Sequence, residues 1–288
     1  MPPDPFPAED PGGSPPAWSG AHLRRLDADE GGPPAFDPVP PGSEQHVERW
    51  WGSHLREIRW QAEAARLLLD PVFRGRGVPR GDGRPVVLLP GFMAGDYTLG
   101  TMALWLRRLG YRPFGSGFLF NVDCSERALR RVEDTVGTLY DRYGRRVAVI
   151  GHSRGGHFAK ALAVRRPDQV SHVISLGAGL DRPYDISAPT LAAVAAVRAV
   201  NRRTGGRSRD RGCLSERCRC SFAQAYAAPF PPDVRLTSIY SKGDGVVRWR
   251  SCVVRYADNV EVTGSHVGLA FNRKAYRAIA HALCTPEG

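Results

Sequence analysis

The sequence has no run of about 18 apolar residues, so nothing in it reads as a helix able to cross a bilayer. Its first residues, Met1-Pro2-Pro3-Asp4-Pro5, lack the basic and apolar regions of a secretory leader, and a cytoplasmic location is the expectation. Lysine is scarce: Lys160, Lys242 and Lys274 are the only three. Arginine therefore supplies nearly all of the basic residues behind a net charge of +11 and a pI of about 9.8. Neither an aromatic-basic RNA motif nor a helix-turn-helix signature accompanies that charge, and a nucleic-acid partner is not expected. Six cysteines occur, and Cys213, Cys218 and Cys220 cluster. Their C-x4-C-x-C spacing fits no standard zinc site. Reduced structural thiols are expected, ahead of a disulfide within the cluster or to Cys252, and ahead of a metal.

What is present is uneven along the chain. Residues 1–42 hold twelve of the 24 prolines and show no apolar period, so this tail is expected to be disordered. Residues 43–70 carry an apolar stripe at helical spacing through Val47, Trp51, Leu55, Ile58, Ala62, Ala65 and Leu69. The tryptophans there, Trp60 included, are read as packing.

From Pro85 onward, strand and helix patterns alternate. Val86–Leu89 and Val147–Ile150 are short all-apolar runs, the signature of strands covered on both faces. Further strands are expected at 172–176, 234–240 and 259–263, with helices at 97–109, 126–143, 154–165, 189–201 and 271–284. That alternation implies a mostly parallel central sheet with helices on both faces. It lapses between about 183 and 232, which reads as a cap inserted over the sheet's C-terminal edge. Within it, residues 201–220 hold seven arginines against Asp210 and Glu216. This charge could draw an anionic membrane surface weakly, while a solvated loop is the plainer reading.

The strongest local signal is Gly151-His152-Ser153-Arg154-Gly155, set between an apolar strand and a helical pattern. A serine on so sharp a turn stands above the sheet on a strained backbone, and glycines on both sides let the chain pass closely. A serine hydroxyl needs a base, and the order that goes with this turn is serine, acid, histidine. His266 lies late and directly after a strand. His281 falls inside the last helical pattern, and His152 and His157 adjoin the serine too closely to take its proton. The acid is expected after the penultimate strand, at Asp244 between Gly243 and Gly245. Asp181 is the rival, and Asp258, which precedes a strand, is third. Negative charge on a tetrahedral intermediate needs backbone N–H donors: Arg154 after the nucleophile, and Phe92 in the Pro90–Gly95 loop, with Met93 as the second choice.

Together, Leu89-Pro-Gly-Phe92, Gly151-His-Ser-Arg-Gly-Gly156, Ser241-Lys-Gly-Asp-Gly-Val-Val247 and Gly264-Ser-His-Val-Gly268 make the chain from Pro85 to its end resemble the α/β-hydrolase superfamily, and within it the bacterial lipase- and esterase-like hydrolases. Pro90 stands where many lipases have histidine. The resemblance implies cleavage of a small-molecule or lipid acyl ester through an acyl-enzyme, with Ser153, His266 and Asp244 as the triad and no cofactor. An acyltransferase or thioesterase could use the same groups, and a non-catalytic binding protein could use the fold alone.

Overall fold

The computed structural model describes residues 57–203, 214, 215 and 217–286. The Pro-rich segment 1–42, the predicted helix as far as residue 56 and most of the arginine-rich stretch lie outside these residues. The elements run α1 (Trp60–Leu69), β1 (Pro85–Leu89), α2 (Gly100–Leu109), β2 (Arg112–Gly115), α3 (Ser125–Tyr143), β3 (Val147–His152), α4 (Arg154–Arg165) and β4 (Val170–Leu176). They continue through α5 (Ala188–Arg203), α6 (Ser221–Ala227), β5 (Arg235–Ser241), the single turn α7 (Trp249–Cys252), β6 (Asp258–Val262) and α8 (Arg273–Cys284).

The six strands form one sheet in the order β2-β1-β3-β4-β5-β6, and every pairing is parallel. The all-apolar strands explain why the sheet is wrapped on both sides. Their residues point alternately to two cores. Val86, Leu88, Ala148, Ile150, Ile174 and Leu176 face one core, completed by α2 and α8. Val87, Leu89, Val147, Val149 and Val173 face the other, completed by α3, α4 and α6. The chain runs from β1 out to the edge at β2, then returns past β1 to β3. Loops leaving β1 and β3 therefore diverge, and in open α/β sheets that switch point is where a crevice forms.

Helix boundaries follow the sequence closely. The helix expected at 154–165 has those limits, and Gly110 and Gly144 end α2 and α3 in the left-handed conformation. Three elements lie outside the sequence expectation: the short edge strand β2, α6 inside the insertion and the single turn α7. Phe222 and Tyr226 of α6 pack beside Phe158 and His157 of α4, so this part of the insertion joins the flank of the domain.

The first helix corrects an expectation. Ile58 and Leu69 of the predicted apolar stripe are 63% and 76% exposed, and the buried residue of α1 is Leu67. Glu63 sets this rotation, because its carboxylate bonds to Ser265 on the inner side. Hydrogen bonds to this half-buried carboxylate outweigh the modest gain from covering two alanines and the ends of a stripe. Trp60 does pack, its ring 5.6 Å from that of Phe271.

The Cys218 and Cys220 sulfurs lie 3.0 Å apart, in hydrogen-bond contact rather than joined as a disulfide.

Candidate active site

Ser153 is the hinge between β3 and α4. Its φ of 53° and ψ of −123° lie in a region that a residue with a side chain rarely adopts. Neighbouring contacts hold it there: its N–H donates to Leu176 O at 2.8 Å, and its own carbonyl accepts from the Gly156 N–H at 2.8 Å. The flanking glycines are required sterically. A Cβ on Gly151 would come within 2.3 Å of the Gly155 backbone, and one on Gly155 within 2.1 Å of Leu89 O. Neither neighbour is a flexible side-chain end. Gly155→Ala is therefore expected to destabilise the fold by ~3 kcal/mol, the upper range for overpacking. In a domain of this size that lowers Tm by about 10 °C, a shift calorimetry would register. An unchanged Tm would mean the elbow is not tightly packed.

At the same sheet edge, the loop after β6 presents His266 and the loop after β5 presents Asp244. His266 Nδ1 lies 2.7 Å from Asp244 Oδ2, and both side chains are almost fully buried. The other carboxylate oxygen of Asp244 accepts the N–H groups of Val246 and Val247, each at 2.8 Å. The acid is thus locked in its own loop with one oxygen left for the imidazole. Burial opposes a charge on His266, but the Asp244 carboxylate, its hydrogen bond and the charge of Glu57 outweigh it, and the imidazole pKa lies above its ordinary value.

Of the rival acids, Asp181 accepts from Tyr256 Oη at 3.0 Å, and Asp258 opens β6. The rival histidines are engaged elsewhere or exposed. His152 Nε2 donates to the His266 carbonyl at 2.9 Å, and its ring sits 4.9 Å from the His266 ring. Burial, then the neighbouring imidazole, push its pKa down to about 4. His157 packs edge-on to Tyr226, and His281 is exposed on α8.

The structure thus joins His266 to Asp244 and sets Ser153 at the C-terminal end of β3, with β4 between it and β5, next to His152, which contacts the histidine loop. It does not close the hydrogen bond between Ser153 Oγ and His266. Neither Ser153 Oγ nor His266 Nε2 has a hydrogen-bond partner among the described residues, and neither is sealed from solvent.

The loop after β1 supplies the other predicted donor. The Met93 N–H is already used, donating to Asn121 O at 3.1 Å, which leaves Phe92 as the candidate there. Gly91 allows the approach: a Cβ on it would lie 3.2 Å from Ser153 Cβ. The Arg154 side chain ties this loop to the elbow, which the sequence did not signal. Its guanidinium donates to Asn121 O and Oδ1 at 3.0 and 2.9 Å and to Asp123 O at 2.7 Å, while Asn121 Nδ2 donates to Pro90 O at 2.9 Å. Arg154, which bears one predicted N–H donor, is thereby linked through Asn121 to Pro90 and Met93 of the loop that carries the other.

Two further residues escaped the sequence reading. Glu57 Oε1 accepts from the N–H groups of His266 at 2.9 Å and Gly245 at 3.2 Å, and its Oε2 from Val267 at 2.9 Å. Glu63 takes the Ser265 N–H and hydroxyl at 3.1 and 2.9 Å. The glycines of Gly264-Ser-His-Val-Gly268 were the available signal. A Cβ on Gly268 would overlap Glu63 Oε2, and one on Gly264 would lie 3.2 Å from Glu63 Oε1.

A family model described as "Putative esterase" matches residues 126–201, which include the elbow serine. Among solved structures, a soluble variant of monoglyceride lipase from Saccharomyces cerevisiae, in complex with a substrate analogue, superposes with a TM-score of 0.51 at 14% identity. That match covers 71% of this chain and 87% of the lipase. The monoacylglycerol lipase of Paleococcus ferrophilus gives 0.50 at 16% identity, over 72% and 96% of the two chains. This chain has the α/β-hydrolase fold. No curated protein matches it in sequence. The two metagenome-derived lipolytic enzymes LipS and LipT are the subject of another similar structure, with a TM-score of 0.50 at 16% identity over 71% of this chain and 95% of that one.

Proposed function

We propose that the protein is a serine hydrolase that cleaves carboxylic esters through an acyl-enzyme. The observation that supports this most is the buried 2.7 Å Asp244–His266 pair, held at the sheet edge where Ser153 stands on its strained elbow. Asp244 fixes the proton on Nδ1, so Nε2 is the basic nitrogen. In the first step Nε2 takes the Ser153 proton as Oγ attacks the acyl carbonyl. The carbonyl oxygen becomes an oxyanion facing the N–H groups of Phe92 and Arg154, at the positive end of α4. The imidazolium, stabilised by Asp244, then protonates the departing alcohol. Water activated by the same nitrogen releases the acid and frees the serine. The Ser153–His266 bond must close during this cycle, and such bonds commonly tighten only when substrate is bound.

The surroundings favour an apolar acyl or alcohol group. Met93 in the loop after β1, Leu119 and Phe120 beside Asn121, and Val267 next to His266 are all exposed, at 53%, 73%, 56% and 38%. A fluorophosphonate probe is expected to label Ser153 in the folded protein. A panel of p-nitrophenyl esters graded in acyl length should then show turnover that depends on chain length. Peptide mapping that finds no adduct on Ser153 would leave the fold as a binding scaffold.

A further inference from the structure

We propose that Glu57 is a positioning residue for His266: one carboxylate from outside the sheet ties the loop of the base to the loop of the acid. This rests on the hydrolase reading above and adds to it a group that the triad does not contain.

The geometry is specific. Glu57 Oε1 accepts two N–H groups from different loops, Gly245 after β5 and His266 after β6. Gly245 adjoins Asp244, so the same oxygen holds the backbone beside the acid and the backbone of the base. Oε2 holds Val267, the next residue along. Three convergent N–H donors on one carboxylate are charge-assisted bonds, stronger than neutral ones. They set the spacing that the 2.7 Å Asp244–His266 bond requires. Ser241 Oγ links the two loops independently by donating to Gly264 O at 2.6 Å and accepting from the Gly264 N–H at 3.0 Å. Glu57 therefore refines an arrangement that would partly persist without it.

A second consequence is electrostatic. Among the described residues, the ionisable groups that bear on the His266 ring are Asp244 from the loop after β5, His152 at the end of β3, and Glu57. Asp244 and Glu57 are acidic and favour the imidazolium, the species formed as serine attacks. His152 is kept neutral by its burial. Glu57 thus acts on both the place and the basicity of the ring.

The test uses the full chain carrying Glu57→Gln. Glutamine keeps one oxygen for Gly245 and His266 but puts an NH2 against the Val267 N–H and removes the charge. Two quantities are read: kcat/KM for a p-nitrophenyl ester against pH, and the pKa of the His266 imidazole by NMR titration, which needs no turnover. The expected result is an acid limb and an NMR pKa both moved to lower pH, with kcat about tenfold lower from misplacement of the base. A folded Glu57→Gln protein whose limb and NMR pKa stay at the wild-type positions overturns the proposal. Should that variant fail to fold, Glu57→Asp keeps the charge but is too short to span both loops. It is expected to retain the acid limb and lose kcat, and full kcat would overturn the proposal. The hydrolase reading fails separately: wild-type protein that is neither labelled at Ser153 nor active removes the catalytic role of Glu57, whatever the NMR titration shows.

Discussion

Replacing Ser153 by glycine is expected to abolish ester hydrolysis and at the same time to stabilise the fold. The two effects have one origin. At φ 53° and ψ −123° the Cβ of residue 153 crowds its own backbone, and strain of this kind costs about 1–3 kcal/mol. Glycine relieves it and loses part of the gain, about 0.5–1 kcal/mol, to the greater freedom of its unfolded chain. The net expectation is a stabilisation of about 1 kcal/mol. Activity meanwhile falls by a factor of about 10⁴ or more, because no other group is placed to form the acyl-enzyme. Ser153→Ala is the internal control. It removes the same hydroxyl but keeps the Cβ, so it should be as inactive as the glycine variant and no more stable than wild type. Calorimetry on the three proteins, with a chromogenic ester assay on each, separates the two effects. If the alanine variant hydrolyses the ester at more than a hundredth of the wild-type rate, the nucleophile lies elsewhere. If the glycine variant melts below the alanine variant, the elbow stores no strain.

The elbow was legible in the sequence because its constraints are local. Glycine on both sides of Ser153, an apolar strand before it and a helical pattern after it lie within about twenty residues, and each follows from sterics. The two-sided sheet was legible for a similar reason, since strands such as Val86–Leu89 are apolar at every position. What escaped had no local signal. Strand β2 is four residues long and begins Arg112-Pro113, a composition that argues against a strand except at an edge, where it lies. The burial face of α1 is not legible from apolar periodicity, which takes no account of a half-buried, hydrogen-bonded carboxylate. Glu63 turns inward to meet Ser265, 202 positions away, and Ile58 and Leu69 are turned out. Glu57 reaches its partners over similar separations. Side-chain bonds to backbone N–H groups leave no residue pattern at the receiving end, apart from glycines that make room. The Arg154 guanidinium network is of the same kind: position 154 was singled out for its N–H alone.

Asp244→Asn is expected to cost a factor of about 10⁴ in kcat with little change in stability, as in other triads in which the change forces the wrong tautomer. The structure supplies the reason for this chain. Asp244 Oδ1 accepts two backbone N–H groups, from Val246 and Val247. In the asparagine variant only the amide oxygen can accept them, so the oxygen takes the Oδ1 position. The NH2 group must then occupy the Oδ2 position, against His266 Nδ1, where the 2.7 Å contact now runs. Two donors cannot share that contact, so Nδ1 has to accept and the imidazole proton moves to Nε2. The nitrogen required to take the Ser153 proton then carries one of its own. The loss should appear in kcat and in the rate of fluorophosphonate labelling together, because both need the serine deprotonated, and ¹⁵N shifts of His266 should report the changed tautomer. Asp181→Asn is the matching control. Asp181 accepts from Tyr256 on a different loop, and its replacement should leave the rate within about twofold of wild type. A large loss from Asp181→Asn, with Asp244→Asn nearly silent, would give the orienting role to the residue after β4 and leave the Asp244–His266 pair a structural contact.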